Sequence, residues 1–122
     1  MLRTYRGLAY VCQKEFSDIV EQTKLVRAGS LGSAKLRIIL KENSYIDVWL
    51  SASGRYSYHW ERRAKAGQIF RHDSAPDFPD IKTYPKHFHD GNEQNVKESF
   101  LSDKPEEALR EFLSFVKEIC QR

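Results

Sequence analysis

Two stretches of alternating residues decide the fold: Lys35-Leu-Arg-Ile-Ile-Leu-Lys41 and Tyr45-Ile-Asp-Val-Trp-Leu50. Leu36, Ile38 and Leu40 in the first stretch, like Ile46, Val48 and Leu50 in the second, are separated by polar or mixed side chains, the period of a β-strand with one buried face. The intervening Glu42-Asn-Ser44 is typical of a tight turn. The sequence therefore predicts an antiparallel hairpin with one apolar face and one mixed face.

Further strands are predicted on both sides of this hairpin. Residues 17–26 follow a looser strand pattern that ends in a flexible turn at 28–33, which lacks the Lys-Ser/Thr pair of a phosphate-binding loop. Downstream, residues 55–61 and about 68–72 read as strands joined by a turn at 62–67. The result is an antiparallel meander of four or five strands.

A helix is predicted at each end of the chain. Apolar side chains three to four positions apart indicate a helix from Leu2 to about Glu15. The second helix is expected to start at Asp103 as N-cap, with Glu106 completing a capping box and Pro105 in the first turn. Its apolar stripe consists of Ala108, Leu109, Phe112, Leu113, Val116 and Ile119. We expect both helices to cover one face of the sheet in a single α+β domain of residues 1–122.

The prolines stand at positions 76, 79, 85 and 105. Because proline lacks an amide donor and disfavours helix in the residue before it, we expect residues 73–100 to form a long ordered loop with little strand pairing. Loops of this length in small domains are commonly functional or disordered, and the aromatic content argues against disorder.

Composition and charge limit the function classes. Residues 1–71 carry 13 Lys/Arg against 6 Asp/Glu, whereas residues 72–122 carry 7 against 11. The basic half could attract nucleic-acid phosphates or an acidic protein partner, or be simply a solvated face. No membrane span or signal segment is visible, and the distant Cys12 and Cys120 suggest neither a metal site nor a disulfide framework, so a reducing cytoplasm is expected.

All four histidines fall within residues 59–89. They occupy three motifs: Tyr56-Ser-Tyr-His-Trp60, Ile69-Phe-Arg-His-Asp-Ser-Ala-Pro76 and Tyr84-Pro-Lys-His-Phe-His-Asp-Gly91. These segments combine imidazole, phenol, carboxylate and basic groups, whereas the rest of the chain reads as amphipathic scaffold. Any chemistry is therefore expected in this region.

The three motifs resemble those of the TumE family, toxin components of bacterial and archaeal toxin–antitoxin pairs. The resemblance extends through most of the chain, and its specific part is residues 56–91. The family's second motif usually reads Arg-Trp-Asp-Asn-Ala-Pro and its third Pro-His-His-Lys-His, whereas this chain has His72, Ser74 and Lys86 with His87 and His89. The departures weaken any role that needs the Asn amide or the full histidine cluster. The resemblance implies a cognate antitoxin, often with a helix-turn-helix domain, and supplies no mechanism.

The residues themselves suit cleavage of a phosphodiester. RNA cleavage needs a base for the 2′-hydroxyl, an acid for the leaving 5′-oxygen and positive charge at the phosphate, and histidine suits the first two roles. The candidates are His59 paired with His87 or His89, with Tyr58 or Arg71 stabilising charge and Asp73 orienting an imidazole. For substrate binding they are Arg71, Lys86 and Tyr56. Taken alone, each histidine is better explained as a structural residue that fixes the loop to the sheet.

Three further interpretations concern the same residues. His87 and His89 point to one side of an extended segment and, with Asp73 or His59, could hold a divalent metal, although no cofactor is required. Tyr56, Tyr58, Trp60 and Phe70 could stack on single-stranded RNA or simply pack beneath a helix. Asp73-Ser-Ala-Pro76 is well explained as a turn in which the Asp side chain accepts backbone amides.

Two function classes remain from the sequence. In the first, the protein is a toxin, possibly a small endoribonuclease-like enzyme, that a cognate antitoxin neutralises. In the second, it is a non-catalytic module that binds a protein or a nucleic acid. A catalytic site requires His59 to lie near Asp73 and the 84–91 segment, whereas a binding module requires only an exposed patch.

Overall fold

In the part of the chain that the structure describes, seven strands form one antiparallel sheet whose strand order follows the chain. The computed structural model describes residues 1–27 and 33–122, so the turn predicted at 28–33 lies almost wholly outside the described residues. The strands are β1 (Val20–Arg27), β2 (Ala34–Leu40), β3 (Tyr45–Leu50), β4 (Tyr56–Arg62), β5 (Gln68–Asp73), β6 (His87–Gly91) and β7 (Val96–Glu98). The helices are α1 (Leu2–Glu15), α2 (Arg63–Ala66) and α3 (Pro105–Cys120). The α+β prediction is confirmed.

The β2–β3 hairpin forms as its alternation predicts. Leu36 lies opposite Val48 and Ile38 opposite Ile46, and all four side chains are buried. The turn between the strands contains Asn43 with a φ of 74°, a left-handed conformation that asparagine tolerates better than most residues.

Both α1 and α3 pack on the apolar face of the sheet. Tyr5, Leu8 and Val11 from α1 and Phe112 from α3 are buried there together with Trp60 of the central strand β4. The Trp60 indole also donates a hydrogen bond of 2.9 Å to the Ser44 hydroxyl, so its one polar atom is satisfied inside the core. One face of the sheet is therefore covered by helices, while the opposite face receives the polar half of each strand.

The predicted loop at 73–100 contains two strands, so that prediction is wrong in part. Pro76, Pro79 and Pro85 all precede His87, which leaves the amides of residues 87–98 free to pair. β6 pairs with β5 and β7 pairs with β6, so the meander reaches seven strands rather than four or five. The longest stretch of this range without regular pairing is residues 74–86, and its Phe78 contacts His87 and His89 of β6.

Two local predictions need correction. The turn at 62–67 contains the short helix α2, which ends at Gly67 in a left-handed conformation. Asp103 is not the N-cap of α3: Lys104 occupies that position, and no side chain caps the helix. The Ser102 hydroxyl instead accepts a hydrogen bond from the Lys104 amide, and Pro105 needs no cap because it has no amide hydrogen.

No helix within the described residues is long and apolar enough to cross a membrane.

Candidate active site

A single row of side chains crosses the face of the sheet that the helices leave open. Strand pairing places its members opposite one another on successive strands, and because strand side chains alternate, they share one face. This central row consists of Lys24, Arg37, Asp47, His59, Arg71, His89 and Val96. It brings predicted site residues from three different motifs side by side.

His59 lies in the middle of the row between a carboxylate and a guanidinium group. Its Nε2 is 3.2 Å from Oε1 of Glu61, and its Nδ1 is 3.1 Å from Nη1 of Arg71. Because arginine only donates hydrogen bonds, Nδ1 must accept and therefore carries the lone pair, while Nε2 carries the proton. The imidazole is thus a neutral group with its basic nitrogen directed at Arg71.

The surroundings of His59 keep it neutral. Burial lowers the pKa of His59 below its usual value; the hydrogen bond to Glu61 opposes the shift, and the Arg71 cation adds to it. Hydrogen bonds from Arg63 lower the pKa of Glu61 to about 2 against the effect of burial, so this carboxylate is charged at neutral pH. Glu61 therefore accepts from His59 and fixes the tautomer that leaves Nδ1 unprotonated.

Arg71 holds a carboxylate in the geometry that it would use for a phosphate. Its Nη1 and Nη2 lie 2.8 and 2.7 Å from the two carboxylate oxygens of Glu93, and its Nε lies 3.4 Å from Asp73. Such bidentate pairing is the mode in which arginine binds both carboxylate and phosphate groups. Hydrogen bonds from Arg71 lower the pKa of Glu93, whose side chain is 42% exposed. The carboxylate that Arg71 binds is therefore accessible to solvent.

His87 and His89 point to the same side of β6, as predicted, and both are buried. Their ring centroids are 4.9 Å apart, and the ring of Phe78 from the 74–86 segment meets both edge-on at 4.7 and 5.8 Å. His87 Nδ1 bonds the Pro85 carbonyl, and His89 Nδ1 bonds the Glu93 carbonyl. These contacts fasten the 74–86 segment and the β6–β7 turn to the sheet.

The structure does not bring His59 into contact with either of these histidines. β5, with Arg71 on it, lies between β4 and β6, so the backbones at His59 and His89 are two strand spacings apart, about 10 Å. Burial lowers the pKa of His89, while its hydrogen bond to the Glu93 carbonyl opposes the shift. Arg71 thus lies between His59, whose Nδ1 is unprotonated, and the buried His89.

Tyr58 and Tyr56 lie on the other face of the sheet, so their predicted roles beside His59 do not fit the structure. Both are buried, and the ring of Tyr58 contacts Phe112 of α3 at a centroid distance of 6.4 Å. Burial raises the pKa of Tyr56 to about 12 and that of Tyr58 further. Together with Trp60 and Phe70 they are core residues. Of the two interpretations of these aromatics, packing beneath a helix is therefore confirmed, and an RNA-stacking platform does not fit.

Two other residues of the motifs have structural contacts. His72 faces the helices, stacks on Phe88 at a centroid distance of 4.2 Å and lies 2.7 Å from the Ser99 hydroxyl. Burial, and secondarily the Lys86 cation, lowers the pKa of His72 to about 4. Lys86 itself donates a hydrogen bond of 2.6 Å to the Leu101 carbonyl. It holds the 74–86 segment near the start of α3 and does not line the central row.

Asp73 has two roles on the open face. Its Oδ1 accepts a 2.7 Å hydrogen bond from the Ala75 amide and so forms the turn that the sequence predicted, while its Oδ2 approaches Arg71.

Within residues 1–27 and 33–122, no three His, Cys, Asp or Glu side chains are grouped so as to hold a metal ion.

Sequence reasoning missed Glu93 and the part that Glu61 plays. Glu61 shares a strand face with His59, so the period of two already indicated their proximity. Glu93 gave no such signal, because it lies in the β6–β7 turn and that hairpin was not predicted. Two aromatic residues of the open face, Tyr45 and Trp49, were likewise recognised only as strand residues, although the Arg37 guanidinium lies over the Tyr45 ring at 4.2 Å.

Comparison with known proteins identifies the family. The family described as Toxin TumE matches residues 9–120, which include the second half of α1, the whole sheet and all of α3. The chain belongs to the TumE family of toxins. Membership in a toxin family implies a cognate antitoxin in general terms. No curated protein and no solved structure matches the chain significantly. The TumE match covers all three motifs, and the site chemistry must be argued from the geometry above.

Proposed function

We propose that this TumE protein acts as a toxin by cleaving RNA on the open face of its sheet. One observation carries the proposal: the unprotonated Nδ1 of His59 lies 3.1 Å from Arg71, which binds a carboxylate in a phosphate-like bidentate geometry. A base beside an anion-binding group is what in-line attack by a ribose 2′-hydroxyl requires.

The first step of the proposed reaction uses Arg71 to bind the scissile phosphate. The phosphate would displace the Glu93 carboxylate, which is solvent-exposed and tethered only through the β6–β7 turn. Asp73, at 3.4 Å from the arginine Nε, keeps the guanidinium plane oriented during this exchange. Once the phosphate has drawn the guanidinium group towards itself, the lone pair of His59 faces the substrate.

The second step moves two protons. His59 Nδ1 takes the proton of the 2′-hydroxyl, the new O–P bond forms, and the bond from phosphorus to the 5′-oxygen breaks. The leaving oxygen needs a proton, and His89, on the opposite side of Arg71, is the proposed donor through its Nε2 because its Nδ1 already bonds the Glu93 carbonyl. A bound phosphate dianion or diester would favour the protonated form of this imidazole. His87 then acts as a support for His89 and the 74–86 segment.

A non-catalytic binding module is the second candidate, and one observation favours it. His59 and Arg71 are bound by the carboxylates of Glu61 and Glu93, respectively, so the hydrogen-bond network is satisfied without a substrate. On this reading the open face binds RNA or a protein without cleaving anything.

RNA cleavage would also place the protein in the cytoplasm, where the free thiols of Cys12 and Cys120 are stable. The antitoxin's helix-turn-helix domain remains an expectation from the resemblance.

Cleavage of a labelled single-stranded RNA by the purified protein distinguishes the two candidates. We expect the wild type to produce 2′,3′-cyclic phosphate ends, and His59→Ala and Arg71→Gln each to lower the rate at least about 100-fold. Arg37→Gln is the matched control, because Arg37 makes a similar bidentate pair with Asp47 on the same face but has no histidine beside it. Binding without cleavage by folded wild type would favour the module.

A further inference from the structure

A groove between α1 and the edge strand β1 lies on the helix side of the sheet and shares only Lys24 with the central row. Leu2 and Ala9 from α1 and Leu25 from β1 line its walls, and Tyr5 and Leu36 form its apolar floor. Its volume is about 340 Å³, and Leu2 and Leu25 are 44% and 39% exposed. Apolar side chains left open beside a groove indicate a surface suited to another chain.

The charged residues that line this groove are all basic. They are Arg6, Lys24 and Arg27, and no carboxylate lies among the lining residues. None of the three forms an ion pair with any other described residue, whereas Arg37, Arg62 and Arg71 each bind a carboxylate. The groove therefore has an apolar floor and an uncompensated positive rim, which attracts an acidic partner.

The groove runs along a free edge of the sheet. β1 has eight residues and pairs only with β2, so its outer row of backbone N–H and C=O groups has no strand partner among the described residues. The opposite edge, β7, has only three residues. A long unprotected edge strand is a template for the addition of an extended segment from another protein.

We propose that the groove between α1 and β1 receives an extended, acidic segment of a protein partner that adds to β1 as an eighth strand. The apolar side chains of the segment enter the groove, its carboxylates on the helix side pair with Arg6 and Arg27 at the rim, and those on the other face reach Lys24. For a member of a toxin family the source of the segment is the cognate antitoxin. The proposal goes beyond RNA cleavage and does not depend on it.

Two other occupants fit the same features less well. Nucleic acid would satisfy the positive rim but leave the apolar floor and the strand edge unused. A second copy of this chain, pairing β1 with β1, would bring Lys24 and Arg27 close to their own copies, and like charges across a strand pair are destabilising. An acidic peptide alone uses the floor, the rim and the edge.

The test is titration of the full chain with a short capped peptide of Val-Glu-Glu-Val repeats, which put both residue types on each face of an extended strand, followed by calorimetry and by amide hydrogen exchange. We expect saturable binding, slower exchange at β1 amides, and affinity at least about tenfold lower for the double variant Arg6→Glu with Arg27→Glu. Lys14→Glu combined with Lys82→Glu makes the same change in net charge at residues that do not line the groove, and this control should leave the affinity within about twofold.

The proposal would be overturned by absence of saturable binding, by equal binding of the double variant, or by protection at β7 or at His59 and Arg71 instead of β1. Equal binding of a lysine and valine peptide of the same pattern, or displacement of the acidic peptide by single-stranded RNA at the same amides, would also overturn it. Because Arg6 and Arg27 make no ion pair with another described residue, the double variant should fold normally, and circular dichroism verifies this. Loss of RNA cleavage by the site variants tests the proposed function separately.

Discussion

The proposed chemistry depends on the guanidinium group of Arg71. The Glu93 carboxylate competes with any substrate for this group. Glu93→Gln removes the charge but keeps the size of the side chain, so Arg71 should release it more easily. We expect the affinity for a fluorescein-labelled single-stranded RNA, measured by anisotropy at low salt, to rise at least about threefold.

The matched control for this prediction is Glu98→Gln. Glu98 lies on β7 beside the same site and forms no ion pair with a described residue, so its neutralisation changes the net charge equally. If the RNA affinity rises by the same factor in both variants, the effect is one of overall charge, and the idea that Glu93 occupies the phosphate position is refuted.

His72 supplies a pH-dependent part of the stability. Its pKa is lowered by burial to about 4 in the folded state, compared with about 6.5 in the unfolded chain, so the unfolded state binds the extra proton first as pH falls. The contribution is full above about pH 6.5 and is lost as pH falls towards 4, on the order of 2–3 kcal/mol in free energy of unfolding.

Urea unfolding between pH 4.5 and 7.5 measures this loss. In His72→Phe, which keeps the stacking on Phe88, the decline of the unfolding free energy with falling pH should be clearly shallower than in the wild type, although His59 and His89 still contribute to it. An unchanged slope would mean that His72 is not held neutral by burial.

At the scale of elements, the ring of Phe78 is one of the contacts that fix the 74–86 segment to the sheet. Phe78→Ala removes the edge-on contacts with His87 and His89, and since Phe78 is only half-buried we expect a loss of about 1–2 kcal/mol in unfolding free energy. Hydrogen exchange in residues 74–89 should also accelerate.

Phe100→Ala is the control for the segment variant, because this phenylalanine is 78% exposed and its truncation should change the unfolding free energy by less than about 0.5 kcal/mol. Equal effects of the two substitutions, or faster exchange spread over all strands, would show that Phe78 does not fasten the segment specifically.

Most elements could be predicted from the sequence because their periodicity is local. The alternation in β2 to β4 and the spacing in α1 and α3 each follow from which side chains must face the core. β6 and β7 were missed because three prolines at 76–85 weighed against strands in the whole of 73–100, although none lies beyond residue 85 in that range. The N-cap was misplaced because Asp103 is a residue type that commonly caps helices, whereas α3 begins one residue later, with Lys104 at the N-cap position and no side chain capping it.

At the scale of the whole molecule, the sheet separates stability from chemistry. Tyr58 and His59 are neighbours in the chain, yet the strand period puts one in the core under α3 and the other on the open face. That separation was readable from the sequence, whereas the row through Arg71 and His89 was not, since it requires the register of three strands. The contribution of Glu93 depends on a turn whose conformation no local pattern predicted.

The pH dependence of RNA cleavage also belongs to this scale, because it combines groups on two strands. Burial lowers the pKa of both His59 and His89 below about 6.5, and the rate depends on one being neutral and the other protonated. We expect a bell-shaped profile of kcat/KM with its maximum below pH 6.5. A rate that rises steadily to pH 8 would exclude this pair as the base and acid.

Inducible expression in a bacterial host tests the central claim, that the toxin acts through the open face of its sheet, most directly. The account predicts growth arrest by the wild type and by Arg37→Gln, and normal growth with His59→Ala and with Arg71→Gln, at equal amounts of soluble protein. Arrest by all four proteins would contradict it and would place the toxic activity outside the row formed by His59, Arg71 and His89.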